Sequence, residues 1–303
     1  MSANSLVAII TKNRANSAYV GARSGADRVL SAHALSSVHF VPEKPDDIAE
    51  QCGLIRQAVK LRPNAMVLAP AHATKMTEAL EEVHAAGIPL FCVVSEPEPS
   101  SAVTFVGSDD WALARDMAIR LAKHLGEQGD IVIINGHPDA STSAPRAAGF
   151  REGLAAFPGI TICAERRGYY QRDPAAEAFE QLVSAQGVPD GVLTANDFMA
   201  RGVWDVLESR ETSSIVVSAN ATPEGVSMIK DGRILASAAF DAMSMAGLAA
   251  EAAVRYLRGE TVPRSMMLPA ILVDQDNLEY WDRPYEERSM YPWEDALAKC
   301  VVA

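Results

Sequence analysis

The chain repeats its own plan. Asp130-Ile131-Val132-Ile133-Ile134-Asn135 restates the opening run Leu6-Val7-Ala8-Ile9-Ile10-Thr11, 124 residues further on. Arg62-Pro63-Asn64-Ala65-Met66-Val67-Leu68 is echoed, 126 residues on, by Val188-Pro189-Asp190-Gly191-Val192-Leu193. At both places a proline ends a helical pattern and opens a buried strand, because the residue before proline is pushed out of the α region. Two offsets that agree this closely imply two lobes of one architecture.

The repeated unit is itself regular. Leu6–Thr11 reads as a buried strand, residues 18–33 as a helix around Gly25, and Val38–Val41 as a second strand. Asp46 is a candidate cap for a helix running through Lys60; strands follow at Ala65–Ala69 and Pro89–Val94, with a helix over 74–86 between them. Continuous apolar strands joined by helices mean a parallel, doubly wound α/β sheet covered on both faces. Val103-Thr104-Phe105-Val106-Gly107-Ser108-Asp109-Asp110 lies between the halves as the first crossover. From about Asp276 the pattern breaks into a tail carrying Tyr280, Trp281, Tyr285, Tyr291 and Trp293. Disordered segments are poor in aromatics, so the tail is expected to be an extended arm packed on a lobe.

Composition excludes several classes. With 27 basic against 39 acidic residues the net charge is −12, the wrong sign for tracking phosphates. It suits a protein that stays dispersed as a monomer. No apolar run nears the roughly 18–20 residues that span a bilayer. Met1-Ser2-Ala3-Asn4-Ser5 has no basic segment of an export signal, so the chain is expected either to lack one or to have lost it. Cys52, Cys92, Cys163 and Cys300 are too widely spaced for a zinc or redox motif, and Cys52 and Cys92 read as plain buried thiols. Glycine-rich nucleotide loops and a nucleophile elbow are missing from the sequence. Glu81 with His84 reads as a solvated helix face, and Asp274-Gln275-Asp276-Asn277 lacks the glycine and distal glutamate of a calcium loop. The expectation is no enzyme, no cofactor and no metal.

What remains lies just past the strand ends, where doubly wound sheets bind ligands. There the chain places Lys12, Asn13, Asn16 and Tyr19 after the first strand and Ser95-Glu96 after the fourth. The second half places Ser143 and Arg146, Tyr169-Tyr170, Asn196-Asp197, Asn220 after the strand Ser214–Ala219, and Phe240 after Ile234–Ala239. Most are planar hydrogen-bonders or rings. An amide both donates and accepts, a guanidinium holds two neighbouring oxygens, and a ring covers a C–H face, which together suit a hydroxyl-rich ligand. Asp109, in the crossover motif, joins this set.

Over residues 6–273 the chain resembles the type I periplasmic binding proteins, nearest to the ribose- and other monosaccharide-binding components of bacterial ABC importers. The resemblance rests on Asn16-Ser17-Ala18-Tyr19, Gly107-Ser108-Asp109-Asp110, Ser143-Ala144-Pro145-Arg146-Ala147-Ala148-Gly149-Phe150, Ala195-Asn196-Asp197-Phe198-Met199-Ala200, Thr222-Pro223-Glu224-Gly225 and Ile229-Lys230-Asp231-Gly232-Arg233, in that order. It implies two lobes joined by a multi-strand hinge: 1–107 with 241–269, and 108–240 with 270–303, linked by three crossovers. It implies that Arg146 and Asn196 hold sugar hydroxyls, that Asn16 and Tyr19 supply polar and stacking contacts, and that Tyr170 is the stacking ring of the second lobe. It further implies a periplasmic location, capture of the solute by hinge closure, and delivery to an inner-membrane ABC permease.

Three departures bear on the ligand. Ser95-Glu96 stands where the family often has Asp-Arg, Asn220 where it has aspartate, and Phe240 where it commonly has glutamine. A lost charge and added apolar volume point to a pentose or short polyol rather than a hexose. Two alternative classes stay open, the first of them on the same fold and the second a doubly wound enzyme. A ligand-sensing domain of a lactose-repressor-like regulator needs about 60 residues of helix-turn-helix ahead of the first strand, and with a strand starting at Leu6 none is expected here. A sugar-acting enzyme needs a nucleophile–base pair or a cofactor loop.

Overall fold

The structure is a computed structural model and describes residues 5–302; Met1-Ser2-Ala3-Asn4, on which the reading of the export signal falls, lies outside them. From the N-terminus the elements are β1 (Leu6–Ile10), α1 (Ser17–Ala32), β2 (Ser36–Phe40), α2 (Ile48–Lys60), β3 (Ala65–Leu68), α3 (Thr77–Ala85), β4 (Leu90–Val93) and β5 (Thr104–Ser108). There follow α4 (Asp110–His124), β6 (Gln128–Asn135), α5 (Ser143–Ala155), β7 (Gly159–Arg167), α6 (Arg172–Gln186) and β8 (Gly191–Thr194). Then come α7 (Asp197–Ser209), β9 (Ile215–Ala219), α8 (Pro223–Lys230), β10 (Ala236–Ala239), α9 (Ala242–Leu257), β11 (Ser265–Leu268) and β12 (Ile271–Val273). A 3-10 turn (Leu278–Tyr280) and α10 (Trp293–Lys299) complete the chain.

The chain divides into two compact units, each with its own six-stranded sheet. The first unit comprises the chain up to Ser108, Asp241–Pro269, and the end of the chain from Tyr285; the second comprises Asp109–Phe240 and Ala270–Pro284. Strand order is β11-β5-β4-β3-β1-β2 in the first sheet and β12-β10-β9-β8-β6-β7 in the second, the same permutation of corresponding strands. Pairing is parallel throughout the first sheet, whereas β12 runs antiparallel to β10. The repeat read in the sequence is therefore a repeat of topology, broken at its last strand.

Burial explains why the strands were visible. Every residue of β3, β4, β8 and β10 is buried, so they read as unbroken apolar runs rather than as alternation. Neighbouring helices on the sheets pack at close range, and glycines permit it. A Cβ on Gly25 of α1 would stand 2.2 Å from the Met243 carbonyl oxygen of α9. One on Gly149 of α5 would stand 2.2 Å from the Trp111 carbonyl oxygen of α4. These two glycines occupy equivalent places in the two units.

Two expectations are corrected. Asp46 does not cap α2: it sits at φ 59°, and Asp47 caps instead, accepting a hydrogen bond from Glu50 N at 2.9 Å. The tail is not one extended arm on the second lobe. Its first part, to Pro284, groups with the second unit; from Tyr285 it groups with the first, contains α10, and ends in an antiparallel bridge between Val301 and Met266. The chain thus passes between the units at four points among the described residues rather than three. The cause is long-range contact: Arg28 Nη1 donates to the Tyr285 and Arg288 carbonyls at 3.4 and 2.7 Å, and the Arg255 guanidinium lies 4.8 Å from the Trp293 ring centre. Tyr285 and Trp293, with their neighbours, find partners on α1 and α9.

Candidate ligand-binding site

The first unit gathers its candidates behind β1. Lys12, Asn13, Asn16 and Tyr19 are all buried. The Lys12 ammonium stands 3.9 Å from the Asp46 carboxylate and 6.0 Å from the Tyr19 ring centre. Asn13 is committed to its own loop: its Oδ1 accepts from Ala15 N and Asn16 N, both at 2.9 Å, and its Nδ2 donates to Asp46 at 3.2 Å. Asn16 caps α1, its Oδ1 accepting from Ala18 N at 3.0 Å. An asparagine at this position satisfies a helix-start N–H that would otherwise lack a partner.

Behind β4, Ser95 is buried and follows Val94, whose φ of 69° turns the chain sharply. Glu96 is not brought into the β1 group. Its carboxylate accepts from Ser100 Oγ at 2.5 Å and from Arg264 at 2.7 Å, a half-buried ion pair beside β11.

The second unit builds a denser group around Arg146 on α5. Arg146 Nε donates to Asp110 Oδ1 at 2.7 Å, and Nη1 donates to the Ala195 carbonyl. The guanidinium carbon lies 4.9 Å from the Phe240 ring centre and 6.0 Å from that of Tyr170. At such distances a cation is attracted by the ring faces. Tyr170 is held at φ 60°, its hydroxyl 2.8 Å from Thr142 Oγ1, and its ring lies so close to Gly136 that a Cβ there would stand 2.1 Å from it. Burial pushes its hydroxyl pKa up.

Asn196 caps α7, accepting from Met199 N at 2.9 Å, while its Nδ2 donates to the Tyr170 carbonyl at 3.3 Å. One amide thus starts a helix and pins the loop that carries the ring. Next to it, Asp197 is fully enclosed and accepts from Thr222 N, Thr222 Oγ1 and Ser237 Oγ at 2.8, 2.9 and 2.6 Å. Burial raises its pKa to about 6 against the opposing pull of those donors. Asn220, past β9, sits at φ 110°, and its Oδ1 is buried with no hydrogen-bond partner. A buried acceptor left unmet costs about 1–3 kcal/mol, so it marks a place where a donor is wanted.

Asp109 caps α4 through Ala112 N at 2.9 Å, so the acid that meets Arg146 is its neighbour Asp110. Asp110 and Thr142 are the site members that the sequence reading missed. Two consecutive acids at a helix start carried the signal, since one N-cap consumes only one of them. Among the described residues, no group of three or more His, Cys, Asp or Glu is placed to hold a metal ion, and no helix is long and apolar enough to cross a membrane.

Against known proteins, residues 7–261 match the model of the periplasmic binding protein domain. The chain belongs to that family. Among curated relatives, it is 26% identical over 279 residues to a D-apiose import binding protein of Actinobacillus succinogenes, covering 90% of this chain and 89% of that one. It is 23% identical over 262 residues to a ribose import binding protein of Bacillus subtilis, covering 86% and 84%. Among solved structures, an ABC transporter periplasmic solute-binding protein from Actinobacillus succinogenes with bound D-allose superposes with a TM-score of 0.85. That likeness is at 20% identity over 91% of this chain and 99% of the other. It establishes the type I periplasmic binding protein architecture, two parallel-dominated α/β units, for this family member.

Proposed function

We propose that this chain is the solute-binding protein of an ABC sugar importer and takes a pentose or a small polyol. The observation that carries the reading is the Arg146 group, a buried guanidinium over two rings that donates to the carbonyl just before Asn196; past β9, Asn220 adds an amide with an unmet acceptor. Rings, a planar donor and amides recognise a hydroxyl-bearing ring or chain. The names of the relatives, which import apiose and ribose, agree with it. Asn16 and Tyr19 of the first unit would complete the ligand's shell, and closure on the ligand would couple binding to recognition by a permease. On this reading the protein works in the periplasm as a monomer, its partner is an inner-membrane permease, and the solute is released unchanged.

The test is a thermal-shift screen of the full chain against pentoses, polyols, hexoses, nucleotides and NAD. A ligand at 100 times its Kd stabilises the folded state by about 2.7 kcal/mol. A shift with one or two pentoses or polyols, lost in Arg146→Ala, is the expected result. A shift with NAD or a nucleotide and none with any sugar or polyol would overturn the proposal.

A further inference from the structure

The guanidinium of Arg146 is the buried cation of the second unit's ligand group, and it does not stand alone. Its side chain is 3% exposed and that of Asp110 10%, with 2.7 Å between Nε and Oδ1. Burying one charge without the other is strongly unfavourable, so the pair enters the protein interior as a net-neutral unit. Asp110 is available for this because Asp109 supplies the cap of α4. In the first unit a buried cation past β1 is matched in the same way: Lys12 has Asp46 at 3.9 Å.

We propose that Asp110 is a specificity-determining residue: by cancelling the charge of Arg146 it lets the site accept uncharged hydroxyl-bearing ligands and makes it reject their carboxylate counterparts. The inference rests on the sugar-binding reading above and sharpens it. A ligand carboxylate reaching for Arg146 meets a cation already matched, and brings a second negative charge beside Asp110 in a water-poor setting. Like charges placed together there are repelled much more strongly than in water. The enclosed carboxyl of Asp197, one residue from Asn196, adds to the same bias whenever it is ionised. A neutral hydroxyl pays no such penalty, and the paired guanidinium still presents a ring-stacked planar surface to it.

The experiment is calorimetry at pH 7.5 on the full chain with matched probes: D-ribose and D-ribonate, xylitol and D-xylonate, D-arabinose and D-arabinonate. In the natural protein, the tightest neutral probe is expected to bind about 100-fold or more tightly than its acid. In Asp110→Asn, which keeps an acceptor for Arg146 Nε but removes the charge, that gap is expected to narrow about ten-fold or more through gained acid affinity. The gain should vanish in the Asp110→Asn/Arg146→Gln double variant and shrink with added salt. An acid that binds the natural protein within about three-fold of its neutral partner overturns the inference without any variant. So does a folded Asp110→Asn with an unchanged gap, and in both cases sugar binding itself still stands. No binding of any neutral probe overturns the sugar-binding reading, and the inference falls with it.

Discussion

The two units share a strand order but use their strand ends differently. In the first, the amide oxygens of Asn13 and Asn16 are taken up by backbone N–H groups of their own loop and helix. In the second, Arg146 gathers contacts from the start of α4, the end of β8, and rings carried after β7 and β10, and Asn220 keeps an unmet acceptor. One fold therefore supplies a stiff, self-satisfied platform and a group with polar capacity to spare. On the proposed reading, this difference would place ligand discrimination mainly in the second unit.

The largest effect that could break this comparison belongs to Arg146. Arg146→Ala removes the guanidinium that meets the Asp110 carboxylate and opens space beside Phe240, so it is expected to cost about 3–5 kcal/mol of stability. Ligand affinity is expected to fall about 100-fold or more. Denaturant titration and calorimetry on the same sample check both; an affinity within a few-fold of the natural protein would move discrimination out of the second unit. Phe240→Ala comes next. It removes the ring under the guanidinium and is expected to weaken binding about ten-fold, with a stability loss of about 3 kcal/mol from the cavity. A variant that binds hexoses more tightly than pentoses would show that the ring sets the size limit.

Asn16→Ala is expected to act in the opposite proportion. It removes a helix cap, which costs about 1 kcal/mol in stability, and, since its Oδ1 is already committed to Ala18 N, is expected to weaken binding only about three-fold. Calorimetry that found a ten-fold affinity loss with an unchanged melting temperature would reverse the assignment of roles.

How much of this was legible in the sequence follows from where the information sits. The central strands of both sheets are buried on both faces, so Ala65–Leu68 and Leu90–Val93 announce themselves as apolar runs whatever surrounds them. The cluster members past the strand ends were visible for the same reason, since topology fixes where a strand end leads. Choices between adjacent acids were not visible. Asp46 and Asp47 differ as caps only through backbone angles, φ 59° at the first and −72° at the second. Asp109 and Asp110 pose the same problem, and there it hid the partner of Arg146. The tail failed differently: whether Tyr285 packs on one unit or the other depends on Gly21 and Arg28, more than 250 positions away. No local pattern encodes that.

The effect that depends on pH concerns Asp197, which ties α7 to the start of α8 and to β10 through Thr222 and Ser237. Its carboxyl has an ordinary value of 3.8 and a folded value of about 6, raised by burial. Between those values the folded protein binds the proton more tightly than the unfolded chain does. This contribution is therefore fully present below about pH 4, declines as pH rises through 4 to 6, and is gone above about pH 7, with a slope of at most about 1.4 kcal/mol per pH unit. Asp197→Asn cannot titrate, so the stability of the natural protein relative to this variant is expected to fall across that window and level off above it. Urea unfolding of both proteins at pH 4.5, 5.5, 6.5 and 7.5 measures the difference directly. A constant difference would mean that the three donors outweigh burial and keep the carboxylate ionised, making the second unit's interior as self-satisfied as the loop behind β1.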